Sequence, residues 1–224
     1  MTINKKKILI VLGGMWHDFD GFTVAMSPVF SEAGWQVEAT YDLDRLLTLA
    51  EGGIDVVLSY TSLSLHREGY ADSGPESLTD AQVVELRGWV RCGGGLLAAH
   101  AATVIGKSDP TLGELMGGIF IEHPPQFAFT VYPMNGEHPI TSGIEAFTVH
   151  DEFYMQKIVS PVTVHMVALD RGVAHPMVWS KPEGLGRVAH VAMGHSALVW
   201  DLEPYRRLMI QALEWVAGAR DGGE

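Results

Sequence analysis

A chain of 224 residues is long enough to bury one sizeable core and short for two, so a single domain over residues 1–224 is expected. Its 47% apolar and 19% charged residues describe a globular protein, and no apolar run approaches the ~20 residues of a membrane helix. A net charge of -12 speaks against nucleic acid as a partner, and the one cysteine, Cys92, leaves neither a disulfide framework nor a thiolate metal site.

The first apolar run, residues 8–12, follows Lys5-Lys6-Lys7 and stops at Gly13-Gly14. It is continuous, as in a strand buried on both faces, and too brief for a signal peptide, so a cytoplasmic location is expected. Phe22, Met26, Val29, Phe30 and Ala33 then recur at helical spacing, with Gly34 placed as the stop. Residues 35–41 alternate as a strand through Val37, Ala39 and Tyr41. Leu43, Leu46, Leu47 and Ala50 form a second helical stripe closed by Gly52-Gly53, and residues 54–60 make a third strand. Residues 61–77 are polar and irregular, long enough for a functional loop. Thr79 with Gln82 forms a capping box, opening a helix with Val83, Leu86 and Val90 on one face. Residues 96–99 are the fourth strand. This alternation is the signature of a doubly wound, mostly parallel α/β sheet.

Beyond His100 the rhythm changes. Residues 112–116 read as a short helix ended by Gly117-Gly118, and residues 127–132 and 162–169 as strands. Residues 177–179 and 187–193 flank Pro182-Glu183-Gly184-Leu185-Gly186, which predicts a hairpin. Pro204 fits the first position of a closing helix striped by Tyr205, Leu208, Met209, Ala212 and Val216.

Ten histidines are many for this length, and their places matter more than their number. His17 lies in the loop after the first strand and His100 at the end of the fourth. Parallel strands put both on one edge of the sheet, where ligands of open α/β sheets bind. His195, after an apolar run and Gly194, joins them if its strand runs the same way. Imidazole serves proton transfer near neutral pH and is also the commonest transition-metal ligand, and both roles stay open. His123 lies in a short polar block, while His138 in Gly136-Glu137-His138-Pro139 reads as a structural turn. His150-Asp151-Glu152-Phe153-Tyr154 sets ionisable groups among aromatics, a setting either for an acid or base or for a solvated acidic turn. Two motifs are excluded. Gly93-Gly94-Gly95 precedes a strand, unlike a dinucleotide fingerprint, and Ser196 has no strand-turn-helix context to activate it.

An ordered series of short pieces resembles the ThuA-like (trehalose utilisation) family. They are Trp16-His17-Asp18, the run from Gly93 to Ala102, Gly117-Gly118-Ile119-Phe120 before His123-Pro124, and the run from His138 to Ile144. Asp151-Glu152-Phe153-Tyr154, Pro176-Met177-Val178-Trp179, Gly186-Arg187-Val188 and Gly194-His195 complete it. The resemblance implies a flavodoxin-like sheet akin to class I glutamine amidotransferases, here with a C-terminal hairpin and helix. Those enzymes carry a nucleophilic cysteine in a strand-to-helix elbow. Here the elbow reads Ala98-Ala99-His100-Ala101-Ala102, and Cys92 lies at the wrong end of the strand, which excludes thiolate acyl transfer. The resemblance implies instead a role in the catabolism of trehalose, related disaccharides and their 3-keto derivatives.

On that reading the chain is an enzyme, an isomerase, lyase or hydrolase acting on a keto-sugar or disaccharide. His17, His100, Glu152 and His195 would supply base, acid, and oxyanion or metal contacts. Trp16, His123, Asp151 and Tyr154 would bind substrate, with Trp16, Phe153 and Tyr154 stacking on sugar faces. The cofactor is open; a divalent metal on the histidines and Glu152 would polarise a carbonyl. The expected partners are a small sugar and either a second copy of the chain or a sugar oxidoreductase, with neither nucleic acid nor membrane. Arg187 is read as structural. The alternative is a non-catalytic sugar-binding or regulatory protein whose ancestral nucleophile is gone.

Overall fold

The near-continuous apolar runs of the chain lie side by side in the structure, a computed structural model describing residues 5–64, 74–134 and 136–218. In chain order β1 (Lys7–Gly14), α1 (Phe19–Glu32), β2 (Gln36–Thr40), β3 (Val56–Ser62), α2 (Asp80–Arg91) and β4 (Gly95–Ala99) follow the predicted order, except that no α-helix stands between β2 and β3. After them come α3 (Thr111–Met116), β5 (Gly118–Glu122), β6 (Phe127–Pro133), β7 (Phe147–Asp151) and β8 (Met155–Ile158). The chain continues through β9 (Thr163–Asp170), β10 (Val173–Glu183), β11 (Gly186–Val191), α4 (Ala197–Trp200) and α5 (Glu203–Ala217).

Nine strands form one sheet in the order β2-β1-β3-β4-β11-β10-β9-β6-β7, and β5 and β8 pair separately. The pairings from β2 through to β11 are parallel, and those from β11 to β7 antiparallel. The expectation of a mostly parallel sheet is therefore corrected. Consecutive β9, β10 and β11 are joined by tight turns, which return the chain antiparallel, whereas a parallel neighbour needs a long crossover.

Both faces of β1, β3 and β4 are buried, which explains their apolar runs, while the edge strand β2 is largely exposed. Ile8, Ile10 and Leu12 face Phe22, Met26 and Phe30 of α1 and Leu208 and Met209 of α5. Leu9, Val11 and Val57 face Val83, Leu86 and Val90 of α2 and Leu112 and Leu115 of α3. Thr79 and Gln82 make the predicted reciprocal capping box at the start of α2. The second helical stripe is different: residues Leu43–Thr48 form a 3-10 turn, not an α-helix. Its inward residues are Leu43, Leu46 and Leu49, three apart, the spacing of a helix with three residues per turn, while Leu47 is exposed. Most of the irregular loop predicted over residues 61–77 lies outside the described residues, at 65–73. Among the described residues no helix is long and apolar enough to cross a membrane.

Candidate active site at the carboxyl edge of the sheet

His17 owes its place to the end of β1. Gly14 has a φ of 111°, and a Cβ on it would lie 1.9 Å from the Ser62 carbonyl oxygen, so only glycine lets β1 end this close to β3. The Met15 N–H donates to that same carbonyl at 2.9 Å, and Trp16 turns the chain with a φ of 73°. His17 is thereby swung back over the strand end, with Nδ1 2.9 Å from the Met15 carbonyl. Asp18 closes the loop by accepting the Gly21 N–H and capping α1.

His100 follows β4 directly and occupies the elbow position. Its φ is 46°, a left-handed conformation that costs a non-glycine residue roughly 1–2 kcal/mol and is concentrated at functional sites. The residue is fully buried, with Nδ1 2.7 Å from the Ala192 carbonyl. A carbonyl can only accept, so the proton on each of these two rings is at Nδ1 and the Nε2 lone pair points into the site.

His195 follows β11, which is parallel to β4, and so arrives on the same edge. Its backbone is held from two sides. The Gly194 carbonyl accepts from the Tyr60 hydroxyl at 2.9 Å and the Trp200 indole at 2.6 Å. The Asp151 carboxylate accepts the N–H groups of Gly194 at 2.7 Å and His195 at 3.1 Å. Asp151, expected to bind substrate, is instead fully buried with both oxygens on this backbone, which makes it a positioning residue.

Glu152 is the hub. Its Oε2 lies 3.2 Å from His195 Nδ1, 3.4 Å from His100 Nε2 and 3.9 Å from His17 Nε2, and its Oε1 lies 3.5 Å from His123 Nε2. Tyr154 stacks on His100, with ring centroids 4.3 Å apart, and on His123 at 5.6 Å. Its hydroxyl is 3.4 Å from His17 Nε2. Phe153 does not reach the site: it is buried against Phe127, Phe129 and His175, so the expectation that it stacks on a sugar is corrected. Trp16, beside His17 in the chain, is 48% exposed.

The groups polarise one another. Burial, and then the charge of His100 and His195, lowers His17 to about 3, so its ring is neutral. Burial alone would raise Glu152, but the imidazoles of His100 and His195 beside it outweigh burial and hold the carboxyl well below its usual range. Burial works against a charge on His195, yet the Glu152 carboxylate beside it prevails and raises it. Burial and the neighbouring Glu152 keep the Tyr154 phenol neutral.

Sequence reasoning named the four converging groups but missed Tyr60 and Trp200, which fix Gly194 from separate elements with no common spacing. The available signal was a hydroxyl and an indole in apolar surroundings, each of which needs a buried acceptor.

A family model described as ThuA, trehalose utilisation, matches residues 7–216. The chain belongs to the ThuA family. Among solved structures it is similar to a ThuA-like protein of Parabacteroides merdae, at 16% identity over 96% of this chain and 90% of that one, with a TM-score of 0.77. A ThuA-like protein of Bacteroides uniformis gives 19% identity, coverage of 96% and 93%, and a TM-score of 0.72. A cytoplasmic protein of Salmonella typhimurium gives 14%, coverage of 94% and 98%, and 0.62. At such identities the likeness to these structures shows a shared ThuA-type fold alone. No curated protein gives a significant match.

Proposed function

We propose that this ThuA-family chain is an enzyme of sugar catabolism acting on a keto-sugar or disaccharide related to trehalose, with its reaction centre at Glu152. The observation that carries this is the convergence of three imidazoles and one carboxylate at the carboxyl edge of the sheet, their ligand atoms within 4.8 Å of one another. Binding a neutral sugar needs hydrogen bonds and flat faces; it does not need buried ionisable groups crowded onto one point. The order β2-β1-β3-β4 with helices on both faces supports the flavodoxin-like reading of the parallel half. The description of the Salmonella protein supports a cytoplasmic location.

The chemistry that suits such a centre starts at a carbon beside the keto group. A base removes the proton, the electron pair moves onto the carbonyl oxygen, and an enediolate forms. In a 3-keto-disaccharide the enediolate collapses by expelling the glycosidic oxygen from the adjacent carbon, and an acid protonates the departing sugar. The inward Nε2 lone pairs of His17 and His100 and the Glu152 carboxylate are acceptors, suited to taking the proton or to holding a cation that would stabilise the oxygen. His195 and His123 have side chains 20% and 33% exposed and stand on the open side, where protons and substrate arrive. Trp16 offers an exposed flat face for a sugar ring, whereas Tyr154 is buried against His100 and His123 and can reach a substrate only with its hydroxyl edge.

Replacing His100 tests the assignment. Asparagine is the informative substitute, because it tolerates the left-handed backbone that alanine would strain. The His100→Asn protein is expected to fold and to lose turnover of a 3-keto-disaccharide by about 10²-fold or more, followed by mass spectrometry. Unchanged turnover would remove His100 from the mechanism. Calorimetric binding of sugars by the wild type without any product would favour the non-catalytic alternative.

A further inference from the structure

We propose that His17, His100, His195 and Glu152 hold one divalent first-row transition ion of the zinc class. Metal binding does not require the keto-sugar reading of the same site, and the two are measured separately, so either can fail alone.

The first argument is direction. The Nδ1–H groups of His17 and His100 are committed to the Met15 and Ala192 carbonyls, so both Nε2 lone pairs face the carboxylate. Metal-bound histidines have this arrangement, with the outer nitrogen tied to a backbone acceptor and the inner one free to ligate. The second is satisfaction. His100 Nε2, His195 Nδ1 and Glu152 Oε2 are buried atoms with no hydrogen-bond partner, and all three point at the same place. Buried lone pairs that face one another without a donor are costly, and a cation between them is the partner they lack. The third is span. Ligand atoms of a tetrahedral ion of this class lie about 3.4 Å apart. Glu152 Oε2 is already 3.2 Å from His195 Nδ1 and 3.4 Å from His100 Nε2, and the whole set lies within 4.8 Å, so side-chain adjustment of about an ångström closes it.

The donor set selects the ion. Three imidazoles and one carboxylate suit zinc, iron(II), cobalt(II) or manganese, whereas calcium and magnesium prefer a shell of oxygens. The ligands are also pre-positioned: His100 by its elbow, His195 by Asp151, and His17 by the Gly14 turn. Such an ion would polarise the carbonyl of a bound keto-sugar.

The test uses untagged full-length protein stripped with a chelator and titrated with zinc chloride or, anaerobically, cobalt(II) chloride. One equivalent per chain is expected by metal analysis, with the thermal midpoint raised by about 5 °C or more in excess ion. Cobalt(II) is expected to give visible d–d bands from imidazole ligation. His100→Asn and Glu152→Gln are expected to lose the stoichiometric ion and the bands, while His150→Gln, at an exposed position, keeps both. Less than a tenth of an equivalent of either ion, or equal binding by the His100 and Glu152 variants, would overturn the assignment. Stoichiometric metal without turnover of any keto-sugar would uphold it and overturn the proposed function instead.

Discussion

Exchanging Glu152 for glutamine is expected to reduce turnover of a 3-keto-disaccharide by roughly 10²- to 10⁴-fold while leaving the metal-free fold intact. The substitution keeps size and hydrogen-bonding capacity but removes the one charge that all four imidazoles address. Without it, the Nε2 of His100 has a neutral amide in place of a carboxylate, and His195 loses the neighbouring charge that raises its pKa. Stability responds differently. Glutamine leaves no unpaired buried charge behind, because without the carboxylate His195 loses what holds its proton. The far-UV circular dichroism and the metal-free thermal midpoint are therefore expected to stay within a few degrees of wild type. A collapse of the midpoint alongside activity would mean that Glu152 is structural. Wild-type turnover would mean that the reaction takes place elsewhere.

The second large effect lies outside the centre. Gly14→Ala is expected to destabilise the fold by about 3 kcal/mol, lowering the thermal midpoint by roughly 6–12 °C. The added methyl would stand 1.9 Å from the backbone oxygen of Ser62, an atom fixed in β3 that cannot turn aside as a side chain can. A φ of 111° adds strain for any residue with a Cβ. Relief requires β1 to separate from β3 at its carboxyl end, which breaks the Met15 N–H bond to Ser62 and displaces His17. Turnover is thus expected to fall even at temperatures where the variant is folded. A variant with wild-type midpoint and wild-type turnover would show that the β1 end adapts and that His17 does not depend on it. By contrast, Gly34→Ala keeps open space around the new methyl and carries only the backbone cost.

Much of the first half of the chain was legible because its signals are local. The run of residues 8–12, the capping box at Thr79 and Gln82 and the glycine before His100 each specify an element within a few residues. The later strands were harder. β5 and β8 are five and four residues long, with burial that follows neither helical nor strand period, because they pair apart from the main sheet, and β7, though alternating, is only five residues long. The 3-10 turn at Leu43–Thr48 reads in the sequence only as a helical stripe, because three- and four-residue spacings overlap over so short a stretch. At the site, His17 and His100 were legible from strand order, since parallel strands share an edge. Glu152 was only one of two neighbouring carboxylates. Nothing local separates Asp151 from Glu152; the fold does, by turning one onto the Gly194-His195 backbone and the other onto the imidazoles.

The chemistry at Glu152 is tested most directly by incubating the wild-type protein with a 3-keto-disaccharide in deuterium oxide. Proton transfer at the carbon beside the ketone predicts deuterium at that carbon in recovered substrate and an elimination product in which that carbon carries no hydrogen, both seen by NMR as loss of its proton signal. The incorporation is expected to be at least about 10²-fold slower with the Glu152→Gln protein. Cleavage that leaves every carbon-bound proton in place would contradict an enediolate at this site.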